Sequence, residues 1–258
     1  MRMTTCSREF LDPREWGARG AEKTRVALRF LREESWTTEA VMRELLGLRH
    51  RQNAYRSLAR LERQGFIRRH SLPLAAGRAL TVWGITAQGL AYAFDLDEPH
   101  RPRESFQASA LSPARMAHRL DLQKMRVRAQ AAGWREWTAD YLCGPLKAGA
   151  NYPDAVAIRP DGARVAIEIE RTVKSTKRYA ALIVQHLLGR KNRRWDCIYY
   201  LSPTPDLARR IERIFGSIER VAHDGRRIAI TSEHRAPFRF FGYDEDWPAT
   251  VERREAAQ

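Results

Sequence analysis

Between Asp95 and Pro113 the chain reads DLDEPHRPRESFQASALSP, and no other stretch constrains the fold as much. It holds Pro99, Pro102 and Pro113, and its apolar residues follow neither a helical nor a strand period. A segment of this kind joins cores rather than forming one, so the chain must bury apolar surface separately on either side. Its 258 residues are enough for two such cores. The expected division is a domain over 20–94, a linker over 95–112, a second domain over 113–243 and a tail over 244–258. Residues 1–19 read as a second weakly ordered tail.

Before the seam the pattern is helical. Val26, Leu28, Phe30 and Leu31 mark a helix from about Glu22 to Glu33. Thr37 or Thr38 caps a second, with Val41, Leu45 and Leu46 on its apolar side and Gly47 at its end. In RHRQNAYRSLARLERQ, Ala54, Leu58 and Leu61 fall at i, i+4 and i+7, which gives a third helix one buried face. Gly65 stops it. FIRRH (66–70) and ALTVWGIT (79–86) then read as two strands joined by a loop with Pro73 and Gly77, and AQGLAYAF closes the block as a helix.

After the seam the pattern alternates. A helix over 113–133 precedes strands at about 135–142, 153–159 and 163–170. A helix over 175–189, the strand DCIYYLS (196–202), a helix over 205–219 and the strand RRIAITS (226–232) follow. That order predicts a mixed sheet flanked by helices, and the whole chain an α+β protein.

The formal net charge of +15 selects partners rather than fold: nucleic acid first, an anionic surface second. The basic residues run through both halves, which argues against a solvated basic tail. Cys6, Cys143 and Cys197 are far apart and form no CxxC, as expected of free thiols in a reducing cytosol rather than a zinc site. The opening MRMTTCSREF lacks the apolar run of a signal peptide, and the apolar stretch ALIV (181–184) is too short to span a bilayer. A cytoplasmic protein with no membrane partner is the expectation.

AYRSLARLERQGFIRR and VWGITAQGLAYA resemble the recognition helix and wing of a winged helix-turn-helix. The third helix turns Arg49, Arg51, Gln52, Asn53, Arg56, Arg60 and Arg63 away from its apolar face. Arg, Gln and Asn make bidentate contacts to base edges in the major groove. Arg68, Arg69 and Arg78 on the wing would hold phosphates. A solvated arginine face is the plainer reading of any one of them, and winged helices also serve as protein-binding adaptors.

YPDAVAIRPDGARVAIEIERTVK (152–174) gathers Asp154, Glu168 and Glu170 on one hairpin. A three-residue turn at Pro160-Asp161-Gly162 would set Asp154 opposite Glu168, with Glu170 on the same face. A two-residue Asp161-Gly162 turn would instead pair Asp154, Val156 and Ile158 with Ile169, Ile167 and Val165 and split the acids. Salt bridges to Arg164, Arg171 or Lys174 would make all three acids merely structural.

Pro-Asp heading one strand and Glu-x-Glu ending the next resemble the PD-(D/E)XK nuclease signature, with Glu170 where the lysine should stand. The arrangement as a whole is similar to the replication-relaxation proteins and the related mobilisation nickases. These join a winged helix-turn-helix to a nuclease-like domain with E-x-E followed by a basic, Ser/Thr-rich turn, here ERTVKSTKRY. The resemblance implies Mg²⁺ or Mn²⁺ held by Asp154, Glu168 and Glu170, and a displaced positive charge from Lys174 or Lys177. It also implies a role for His118 in MAHRLDLQKMRVR, although a structural histidine at a helix start fits equally. The implied activity is relaxase-like nicking of double-stranded DNA in plasmid replication, conjugation or mobilisation. Other relaxosome or replication proteins, and a second copy of the chain, are the implied partners. The competing expectation is a catalytically inactive site-specific DNA-binding accessory factor or transcriptional regulator.

Overall fold

The computed structural model describes residues 13–73, 79–95, 97–98, 103–142 and 152–249. The chain divides into two compact units, Met1–Pro113 and Ala114–Gln258.

The first unit runs α1 (Pro13–Glu34), β1 (Trp36–Thr37), α2 (Glu39–Leu45), α3 (Arg51–Arg63), β2 (Ile67–Pro73), β3 (Ala79–Ile85) and α4 (Ala87–Tyr92). Thr38 caps α2 by accepting from the Val41 amide, and Thr86 caps α4 by accepting from Gly89. Ala54, Leu58 and Leu61 of α3 are buried, as their spacing requires. The sheet has three strands rather than two, because Trp36 and Thr37 pair antiparallel with Gly84 and Trp83 of β3. The seam is less free than its composition implies. Phe106 donates its amide to Ile85 O and packs over Gly84, where any Cβ would collide with the Phe106 ring. Gly77 and residues 1–12 lie outside the described residues, whereas 13–19 are helical.

The second unit runs α5 (Pro113–Ala131), β4 (Arg135–Ala139), β5 (Ala155–Ile158), β6 (Arg164–Ile169), α6 (Thr176–Lys191) and β7 (Cys197–Ser202). It continues with α7 (Pro205–Ser217), β8 (Arg220–His223), β9 (Arg226–Ala229), α8 (Ser232–Arg235) and β10 (Phe238–Gly242). Five strands form one mixed sheet in the order β10-β7-β6-β5-β4, with β6, β7 and β10 parallel. Alternation along β6 explains the layering. Val165, Ile167 and Ile169 join Leu122, Met125 and Ala129 of α5 on one side. Ala166 points to the other, where Tyr179, Leu182, Ile183, Ile211 and Phe215 of α6 and α7 pack with Tyr200.

Two expectations need correction. The strand expected at 226–232 does not join the main sheet. Its residues 226–229 are exposed throughout and pair with β8 as a separate hairpin, because they offer no face to bury. The fifth strand is β10, whose Phe238 and Phe240 ring-pack against Tyr200 and Phe215. The expected tail also starts too early. Trp247 is fully buried and meets Trp134 edge-on at 5.3 Å, while Trp134 Nε1 donates to Pro248 O.

Trp247→Ala should therefore destabilise the second unit by about 3–5 kcal/mol, the usual scale for emptying a buried aromatic site. Urea denaturation checks this, and a loss below about 1 kcal/mol would show that the segment does not pack as described.

Candidate functional site

The hairpin turn decides where the carboxylates go. Arg159 N donates to Ala163 O at 2.9 Å and Gly162 N to Arg159 O at 3.0 Å, so Pro160-Asp161-Gly162 is a three-residue turn. Gly162 sits at φ 89°, a left-handed conformation that favours glycine. Asp161 Oδ1 accepts from the Ala163 amide and from Arg159 Nε, and Arg159 Nη1 reaches Tyr199 OH at 2.9 Å. The resulting register pairs Ala155 with Ile167 and Val156 with Ala166. One step further along the same register, Asp154 stands opposite Glu168.

Each acid meets its own base. Asp154 Oδ2 accepts from the Ile169 amide at 2.7 Å, and its Oδ1 accepts from His118 Nε2 at 3.0 Å. Glu168 Oε1 lies 3.0 Å from His186 Nε2, close enough for an ion pair but poorly aligned for a hydrogen bond. Glu170 is ion-paired with the Lys174 ammonium, whose backbone amide is fixed by Tyr179 OH. The Tyr200 hydroxyl, on the residue paired with Glu168, has no hydrogen-bond partner among the described residues.

Burial holds the Glu168 carboxyl above its ordinary range, and repulsion from Asp154 adds to that effect. Burial likewise raises Glu170, against the opposing pull of Lys174. His118 is raised chiefly by its hydrogen bond to Asp154. The three acids thus feel one another, although each is individually compensated. Among the described residues, no three His, Cys, Asp or Glu side chains converge as a ready-made metal cage.

Lys177 is exposed on the first turn of α6, so Lys174 is the lysine that meets the acids. Of the tyrosines near the hairpin, Tyr179 and Tyr199 are buried with their hydroxyls engaged, and Tyr152 is half-buried. Three site residues escaped the sequence reading. His186 lies in mid-helix among Trp195, Tyr200 and Phe238, where it reads as core. Asp121 pairs with Arg171 and accepts from Tyr243 OH, which anchors the turn after β6. Tyr200 looked like an ordinary strand residue.

In the first unit, Arg49, Gln52, Asn53, Arg56 and Arg63 are exposed, as are Arg68 and Arg69 on β2. Gln52, Arg56 and Arg63 fall on the stripe of α3 diametrically opposite Ala54, Leu58 and Leu61. Two arginines are committed elsewhere. Arg51 pairs with Glu39 at 2.9 Å and with Tyr55 OH, and Arg60 ties α3 to Gly20 O and Thr24 Oγ1 of α1. Arg78 lies outside the described residues.

A two-unit α+β protein with a largely buried acid–base cluster at one hairpin is the class that fold and site define. Residues 28–194 match the model of the replication-relaxation family, and the chain belongs to that family. No curated protein and no solved structure matches the chain. Membership associates the protein with plasmid replication. No helix among the described residues is long and apolar enough to cross a membrane.

The raised carboxyls give a pH test. A folded-state value above the unfolded one favours folding while the group is protonated, and that contribution is lost as pH rises through the raised value. As pH rises above the ordinary carboxylate range, a Glu168→Gln protein should therefore gain melting temperature relative to wild type. A difference independent of pH would mean that Glu168 carries no burial penalty.

Proposed function

We propose that this protein grips duplex DNA with a winged helix-turn-helix in its first unit. A PD-(D/E)XK-like second unit then cuts a nearby phosphodiester during plasmid replication or mobilisation. The run α2, turn, α3 and the β2–β3 hairpin supports the first half, together with the exposed Gln52–Arg56–Arg63 stripe and the net charge of +15. The observation that carries the second half is the placement of Asp154 opposite Glu168, with Glu170, Lys174 and His118 gathered around them.

The donor set fits a hard cation. Mg²⁺ keeps several waters and needs only one or two carboxylates plus a substrate phosphate, so the lack of a three-ligand cage does not count against it. Asp154 and Glu168 would hold the ion, and their mutual repulsion favours a positive charge between them. When bound, such an ion polarises a phosphate oxygen and makes a nearby water more acidic. Lys174 supplies the fixed positive charge that Glu170 displaces from the usual position, and it would stabilise negative charge developing on the phosphate. His118 gains its proton readily beside Asp154 and, through Nε2, would hold that carboxylate in position for the ion.

Incubation of a supercoiled plasmid carrying the cognate origin with Mg²⁺ or Mn²⁺ tests this. Open circles should form, EDTA should prevent them, and Asp154→Asn or Glu168→Gln should slow nicking by about 100-fold or more. Nicking that persists in EDTA, or in Asp154→Asn, would overturn the hydrolytic reading.

One observation favours a second reading, a site-specific DNA-binding accessory factor. All three carboxylates already have basic partners, and Glu170 occupies the usual lysine position. A specific footprint without scission under any divalent metal would select it. In either case Arg56→Ala and Arg63→Ala should weaken duplex binding and, where they neutralise phosphates, each reduce the salt slope by about 1. An unchanged slope for both would place the DNA contact elsewhere.

A further inference from the structure

Beside the carboxylates, within the second unit, lies a cavity of about 350 Å³. Its lining includes Val156 and Ile158, both half-buried, which stand on the same face of β5 as Asp154. Pro153, immediately before Asp154, forms part of its wall, and the Asp140 amide at its edge donates to Asp154 O at 3.0 Å. The cavity therefore adjoins Asp154 through Pro153 and Asp140.

The lining has a definite polarity. Arg164 and Arg194 face it, and neither guanidinium is paired with a carboxylate among the described residues. The Arg194 guanidinium carbon lies 4.8 Å from the Tyr152 ring centre and 5.0 Å from that of Trp195, so two aromatic rings fix it in place. Trp195 is itself held by a bond from its Nε1 to His186 O and by the space that Gly189 leaves, where a Cβ would overlap the indole. The β4 side carries Glu136 and Asp140 instead. Glu136 adopts φ 54° where β4 shifts register, a strained backbone of the kind found beside functional sites.

We infer that this cavity receives one unpaired nucleotide of the DNA strand that lies next to Asp154 and Glu168. The volume is at the small end for ligand pockets, suited to a single base and sugar rather than a duplex. An apolar floor flanked by the half-buried Tyr152 ring suits the face of a base. The arginine side suits the adjoining phosphate, and Glu136 on the opposite side could accept from the amino group of a base. This deepens the proposal that the second unit acts on DNA and rests on it, adding that its substrate is locally single-stranded.

The test uses the full-length protein in EDTA, so that no hydrolysis intervenes. A fluorescent single-stranded oligonucleotide with iodouracil substitutions reports affinity by anisotropy and contact by photo-cross-linking. Cross-links should map to Tyr152. Tyr152→Ala and Arg194→Ala should each weaken single-strand binding about tenfold while leaving duplex binding unchanged, and Tyr152→Phe should restore it. Cross-links confined to other residues, equal affinity in all variants, or a free mononucleotide competing as well as the strand would overturn the inference. Single-strand binding with these properties but no plasmid nicking would sink only the hydrolytic proposal. Nicking without such cross-links would sink only the cavity.

Discussion

The register of the β5–β6 hairpin is the constraint on which the rest depends. Strand side chains alternate, so a slip of one residue would turn Glu168 and Glu170 toward the α5 layer, where Ile167 and Ile169 now pack. The three-residue turn prevents that slip. Arg159 and Asp161 close it from both ends, and Tyr199 on β7 grips the Arg159 guanidinium. Sheet geometry and site geometry are therefore set by the same few hydrogen bonds.

Given that register, electrostatics dictates the surroundings. Three acids brought together at a largely buried sheet end would repel one another at a cost that burial increases. The protein sets a base against each: His118 from α5, His186 from α6 and Lys174 from the turn between β6 and α6. Perturbed carboxyls with named charge partners beside a cavity are common at functional sites, and structural ion-pair networks produce them too. The same compensation lets the fold persist without an ion, and so accommodates both the hydrolytic and the binding-only readings.

Much of this was legible in the chain, for local reasons. The Ala54-Leu58-Leu61 spacing, the cap at Thr38 and the Pro-Asp-Gly turn all act within a few residues. The two turn lengths looked equally allowed because both faces of the sheet are covered, and only the packed structure separates them. What stayed hidden depends on distant partners. Arg60 and Arg51 resemble their solvent-exposed neighbours until α1 and Glu39 come into place. β10 pairs in parallel with a strand far back in sequence, and Trp247 follows a polar run that resembles a tail until Trp134 meets it. His186 has the spacing of an apolar helix face, and no sequence pattern announces that Glu168 lies beneath it.

The central claim is that Asp154 and Glu168 open onto one cation-binding space, and diffraction tests it most directly. Crystals soaked in Mn²⁺ with a DNA strand present, measured at the manganese absorption edge, would locate any bound ion without reference to activity. A single anomalous peak bridging the two carboxylates is the expected result. No peak there at saturating Mn²⁺, with His118 and Lys174 still seated on Asp154 and Glu170, would contradict it.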